Sequence, residues 1–148
     1  MKIGIASDHA GFALKEHLVI YLKNNLVKNL DLEVVDYGCN SATESVDYPD
    51  FAKKIGDAIL TNQIEKGILV CGSGVGMSIA ANRIKGIRAA LLSDLLSARL
   101  CREHNDSNVA CFGSWIVSPK MAEEILCVWL SVNFGSGRHQ RRVDKLDE

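Results

Sequence analysis

The run Cys71-Gly72-Ser73-Gly74-Val75-Gly76 is where this sequence concentrates chemistry. Closely spaced glycines let backbone N–H groups turn inward and approach a ligand, so an anion or a developing oxyanion would be held there. A cysteine at the edge of such a loop has donors that favour its thiolate, the form able to act as base or nucleophile. The same glycines would serve a tight turn, and a strand cysteine is most often a buried structural one. Their adjacency favours the chemical reading. The spacing is not the dinucleotide fingerprint, since a G-x-G-x-x-G begun at Gly72 would need glycine where Met77 stands, and no G-K-[ST] phosphate loop occurs.

Asp8 and His9 form a second candidate pair, an acid beside an imidazole, although Asp8 would equally cap a helix. His104 and Asn105 offer another imidazole and an amide able to stabilise an oxyanion; a histidine at a helix C-terminus also reads simply as a cation near the negative helix end. Arg138, His139, Arg141 and Arg142 crowd a short tail. Two arginines four apart lie on one helical turn and could grip a phosphate through paired N–H donors, against the alternative of a solvated charge run. Cys101, Cys111 and Cys127 read as structural, Cys39 as an exposed loop cysteine, and His17 as a surface residue.

The elements that must position these groups alternate between strand-length apolar runs and segments of helical period. Strands are expected at Lys2–Ser7, Leu32–Tyr37, Gly67–Cys71, Ile87–Leu92 and Asn108–Phe112. A helix from Gly11 to about Asn29 carries Leu14, Leu18 and Leu22 on one face, and Pro49 opens a second that runs to about Thr61 with Ala52, Ile55 and Ile59 inward. A short helix follows the glycine loop through Asn82, and another, capped by Ser93 or Asp94, ends near His104 and Asn105. Ser118 and Pro119 open the last long helix, with Met121, Ile125, Val128 and Val132 as its inward stripe; Phe134-Gly135-Ser136-Gly137 breaks it before the basic tail. This is the α/β pattern of three layers, a five-stranded parallel sheet between helices, in one domain spanning residues 1–148. Ligands of such sheets bind outside the carboxyl ends of the strands, which selects the loops after Ser7, Tyr37, Cys71, Leu92 and Phe112.

The bulk numbers narrow the partners. A formal charge of −1 from 17 basic and 18 acidic residues provides no general attraction to nucleic acid or an acidic membrane. No apolar run has the length of a signal-peptide core or a membrane span. Five cysteines without a C-x-x-C pair argue against a disulfide framework or a zinc site and for a reduced, cytoplasmic setting.

Together these residues resemble the type B ribose-5-phosphate isomerase family, which also includes galactose-6-phosphate isomerase subunits and allose-6-phosphate isomerases. The resemblance covers nearly the whole chain through Ser7-Asp8-His9-Ala10-Gly11, Asp47-Tyr48-Pro49, Cys71–Gly76, Ala80-Ala81-Asn82, His104-Asn105-Asp106 and Gly137–Arg142. It implies a Rossmann-like fold with a C-terminal helical tail. The implied reaction is an aldose–ketose interconversion of ribose 5-phosphate and ribulose 5-phosphate through an enediolate, without metal or other cofactor, as in the pentose phosphate pathway. It makes Cys71 the proton-transferring base and Ser73 its helper between the sugar oxygens. The N–H groups of Gly72, Gly74, Val75 and Gly76, with Asn105, would hold the enediolate. His104, with Asp8 and Tyr48, would open the furanose ring, while His9, Arg138 and Arg142 would hold the phosphate. The resemblance also implies a homodimer, or a dimer of such dimers, with the site at the subunit interface. The chain departs from the pattern in a longer stretch around Lys23–Asp31 and at Trp115, where the family commonly has arginine.

Two other readings compete. One is a six-carbon phosphosugar such as allose 6-phosphate; the intact His104-Asn105 and arginine tail alongside Cys71 weigh against galactose 6-phosphate. The other is a nucleotide- or anion-binding module without chemistry, which would have no need of Cys71.

Overall fold

The computed structural model describes residues 1–24 and 30–148. Five parallel strands, β1 (Lys2–Ser7), β2 (Glu33–Asp36), β3 (Lys66–Cys71), β4 (Ala89–Leu91) and β5 (Val109–Gly113), form one sheet in the order β2-β1-β3-β5-β4. The helices are α1 (Phe12–Lys23), α2 (Tyr48–Leu60), α3 (Val75–Ala81), α4 (Leu95–Asn105), α5 (Pro119–Ser131) and α6 (Arg138–Asp144), and a 3-10 turn at Lys145–Asp147 closes the chain. The expected three-layer, Rossmann-like α/β fold with a helical tail is present.

Side chains alternate along each central strand and so feed two cores. Ile3, Ile5, Ile68, Val70 and Phe112 pack under α1 and α5, whereas Ala6, Leu69, Cys71, Val109 and Cys111 pack under α2 and α3. Burial on both faces explains why these strands are apolar without a polar side. Strand order reverses between β1 and β3: the chain goes outward to β2, then returns to the other side of β1. At such a switch point the loops leaving the two strands diverge and open a crevice. Ser7 pairs with Val70 there, so Asp8 and Cys71 leave the sheet side by side.

Several sequence expectations need correction. The row of α1 is as expected, with Leu14, Leu18 and Leu22 buried, but the helix is capped at Asn24 by a bond from its N–H to the Ile20 carbonyl. Its expected extension to about Asn29, with most of the longer stretch, lies outside the described residues. In α5 the inward residues are Ala122, Ile125, Leu126, Trp129 and Leu130, while Met121 is exposed and Val132 lies beyond the last turn. The four-residue spacing starting at Met121 drifted off the face that Trp129 dominates. β4 is shorter than expected, because the Arg88 N–H goes to the Asn108 side chain and the Ala89 N–H to that of Asn82. Cys39 is buried: its N–H donates to the Ser7 carbonyl and its thiol to the Ser41 carbonyl, which folds the loop over the end of β1. Among the described residues, no helix is long and apolar enough to cross a membrane.

Candidate active site

Cys71 is the last residue of β3 and is 4% exposed. The chain then turns back on itself, and the Gly74 N–H donates to Cys71 Sγ at 3.1 Å. That turn requires a left-handed residue, and Gly74 has φ +78°. A Cβ there would also stand 2.8 Å from the Phe112 carbonyl carbon and 2.9 Å from the Gly113 nitrogen, so only glycine fits. The Val75 N–H donates to Ser73 Oγ at 3.3 Å, which orients the hydroxyl beside the same turn. Cys111, one strand over in the same core, is fully buried, and burial followed by the neighbouring Cys71 pushes its thiol far up, consistent with a structural role. Cys101 and Cys127 are half-buried, bonded to Ser107 and Tyr21 respectively.

The loop after β1 meets this turn directly. The Asp8 N–H donates to the Val70 carbonyl at 3.1 Å, and Asp8 Oδ1 accepts from the Gly11 N–H at 2.9 Å. Asp8 is not the cap of α1 that the sequence also allowed, since the N-cap is Gly11 with no side-chain bond; it holds the turn before the helix, a buried side chain at the end of β1 beside the end of β3. His9 Nδ1 accepts from the Val46 N–H at 3.3 Å. In a neutral imidazole that bond puts the proton on Nε2, which makes that nitrogen a donor. The ring of Tyr48, at the start of α2, covers Gly76, where a Cβ would come within 2.9 Å of Cζ.

Ser114 completes the scaffold. Its N–H donates to the Cys71 carbonyl at 2.9 Å, and its hydroxyl to the Ala10 carbonyl at 2.8 Å, tying together the loops after β1, β3 and β5. Sequence reasoning missed it, because a lone serine in a loop carries no distinguishing spacing.

The other half of the expected constellation lies elsewhere. α4 starts beyond the carboxyl end of β4 and runs back, so His104 and Asn105 arrive at the amino edge of the sheet, just before β5 begins. Cys71 pairs with Gly113 and Gly67 with Val109, which separates the two edges by roughly 13 Å of strand. There the rings of His104 and His139 stack with centroids 4.3 Å apart and planes 11° from parallel. The His139 imidazole is held below its ordinary value by loss of solvent, then by His104 and the cations of Arg138 and Arg142, with Glu103 opposing. Arg138 and Arg142 are exposed on α6, as is Arg141. A cleft of ≈ 370 Å³ lined by Asn82, Arg88, Asn105 and Asp147, among others, opens on this edge, away from Cys71. A single chain therefore gathers Cys71, Ser73, Asp8, His9, Tyr48 and the glycine-loop N–H groups at one edge, and His104, Asn105, Arg138 and Arg142 at the other.

The chain is similar to known proteins over nearly its whole length. Residues 3–146 match the Ribose/Galactose Isomerase family. The chain is 43% identical over 145 residues to ribose-5-phosphate isomerase B of Escherichia coli, covering 98% of this chain and 93% of that one. It superposes on the crystal structure of a ribose 5-phosphate isomerase from Thermotoga maritima with TM-score 0.93 and 49% identity, over 99% and 97% of the two chains. The crystal structure of ribose-5-phosphate isomerase B from Mycoplasma genitalium with bound ribulose-5-phosphate matches with TM-score 0.90 and 42% identity, over 98% and 93%. With a match that runs almost from end to end and a parallel sheet that carries Cys71 at its switch point, this chain belongs to the Ribose/Galactose Isomerase family.

Proposed function

We propose that this protein interconverts ribose 5-phosphate and ribulose 5-phosphate, with Cys71 as the base. The observation that carries the reading is the Cys71 thiol, held under the Gly74 N–H where the carboxyl ends of β1 and β3 meet. Relatives matched over more than nine-tenths of both chains at more than 40% identity bear the ribose-5-phosphate isomerase name, and one holds ribulose-5-phosphate.

In the proposed mechanism the furanose opens first, with His104 passing the proton between the anomeric hydroxyl and the ring oxygen, and Asp8 and Tyr48 assisting. The Cys71 thiolate then removes the C2 proton of the open aldose, and the electron pair moves into a C1–C2 double bond as O1 becomes anionic. N–H groups of Gly72, Gly74, Val75 and Gly76, with Asn105, stabilise that charge, and Ser73 carries a proton between O1 and O2. Cys71 returns its proton to C1 as O2 becomes the ketose carbonyl. The Nε2–H of His9 binds the phosphate at one edge, and Arg138 and Arg142 close on it.

His104 and the arginines lie about a strand length from Cys71 within one chain, so the proposal includes a homodimer in which each site takes its Cys71 loop from one copy and its His104 segment from the other. Val75, Leu91, Leu95, Leu96 and Ile116 leave apolar surface beside the glycine loop for such a contact. The five free cysteines suit a reducing cytoplasm. The test is an isomerase assay with ribose 5-phosphate and allose 6-phosphate side by side, with chelator present. Faster turnover of the five-carbon substrate is expected; turnover of allose 6-phosphate alone, or of neither, would overturn the reading.

A further inference from the structure

The chain has two tryptophans with opposite surroundings. Trp129 is fully buried and donates its indole N–H to Ser107 Oγ at 2.8 Å, an ordinary core residue. Trp115 is 77% exposed, yet it lies within the Cys71 site. Its six-membered ring covers Gly72: a Cβ at that glycine would stand 2.6 to 2.8 Å from Cη2, Cζ3 and Cζ2. Its backbone is fixed from both sides, with the Trp115 N–H on the Gly72 carbonyl at 3.0 Å and Ser114 tied to Cys71 and Ala10. One face of a large aromatic is thus seated on the backbone next to Cys71, while most of the side chain remains open.

We propose that Trp115 is a specificity-determining residue whose open face stacks on the C–H groups of the sugar phosphate lying over the Cys71 loop. This rests on the isomerase reading above. The physical case is that a neutral ring beside a polar, N–H-lined loop supplies apolar contact where the loop supplies hydrogen bonds, the combination that orients small polar ligands. The ring carries no charge for the phosphate; it meets the carbon chain. Because the ring is seated before substrate arrives, little ordering is required of it on binding.

Fluorescence separates the two tryptophans, since Trp115 is exposed and Trp129 is not. In Cys71→Ala protein, which holds substrate without turning it over, ribose 5-phosphate should change the emission saturably, and inorganic phosphate at the same concentration should not. Trp115→Phe, which retains only Trp129, should lose the response. Trp115→Ala should raise KM for ribose 5-phosphate by about fivefold or more with kcat within about threefold, and Trp115→Phe should recover most of the loss. An unresponsive emission, an equal response to phosphate alone, or an unchanged KM would overturn the inference. So would dissociation of Trp115→Ala into single chains with unchanged emission in the parent, which would make Trp115 an assembly anchor. Failure of the parent protein to isomerise ribose 5-phosphate would instead defeat the isomerase reading, so the two failures are distinguishable.

Discussion

The imidazoles of His104 and His139 stack in parallel, 4.3 Å between centroids, at the opposite edge of the sheet from Cys71. α4 makes this unavoidable. A helix that leaves the carboxyl end of β4 and packs back along the sheet delivers its last residues to the amino edge. The proposed homodimer would bring the two edges together, one copy's Cys71 loop against the other's His104 segment, through a symmetric contact.

Subunit complementation tests that geometry. Cys71→Ala and His104→Ala homodimers should each be nearly inactive, because each lacks one half of every site. Mixed under exchange, half the dimers become hybrids with one intact site of two, so activity should recover to about a quarter of the parent's. Complete exchange, verified by mass, with no recovery would place both residues' functions within one chain.

The tail should loosen in acid. His139 titrates below the ordinary imidazole value of 6.5, through loss of solvent, then His104, Arg138 and Arg142. Between its lowered value and about 6.5 the unfolded chain binds more protons than the folded one, so stability rises with pH through that window and is lost as pH falls. His139→Phe keeps an aromatic partner for His104 and removes the proton. Thermal unfolding from pH 7 to 5 should show a shallower loss for this variant than for the parent, and parallel curves would count against the stack as a pH-sensitive contact.

Gly74→Ala should damage both fold and chemistry. Positive φ in a residue with a side chain costs on the order of 1–3 kcal/mol, and the added Cβ would press on the backbone at Phe112 and Gly113. Relief of that contact moves the Gly74 N–H away from Cys71 Sγ, so kcat should fall by at least about tenfold alongside the lost stability. Denaturant unfolding and steady-state kinetics check the two effects, and a stable variant with normal kcat would show the turn to be dispensable.

Much of this was readable in the residues because central parallel strands are buried on both faces. Lys2–Ser7 and Gly67–Cys71 announce themselves as apolar runs, and the rule that ligands gather at carboxyl ends selected Asp8, His9 and the glycine loop. α5 was harder: with Met121, Ile125, Leu126, Val128, Trp129, Leu130 and Val132, it has apolar residues on more than one side, and periodicity alone does not choose the face. Cys39 looked exposed because burial of a loop residue depends on distant bonds, here to Ser7. Ser114 gave no signal, since its role comes from where three loops converge. The separation of His104 from Cys71 becomes plain only once the direction of α4 is known.

The central claim, that Cys71 moves the proton, is tested most directly by following ribose 5-phosphate in deuterium oxide by proton NMR, with the parent protein and Cys71→Ala at equal concentration. The account predicts ribulose 5-phosphate from the parent, with deuterium at C1 in the fraction of turnovers in which the Cys71 thiol exchanges with solvent before it returns its proton, and a rate at least about a thousandfold lower from the variant, which remains folded and still binds substrate. Undiminished ketose formation by Cys71→Ala would contradict it.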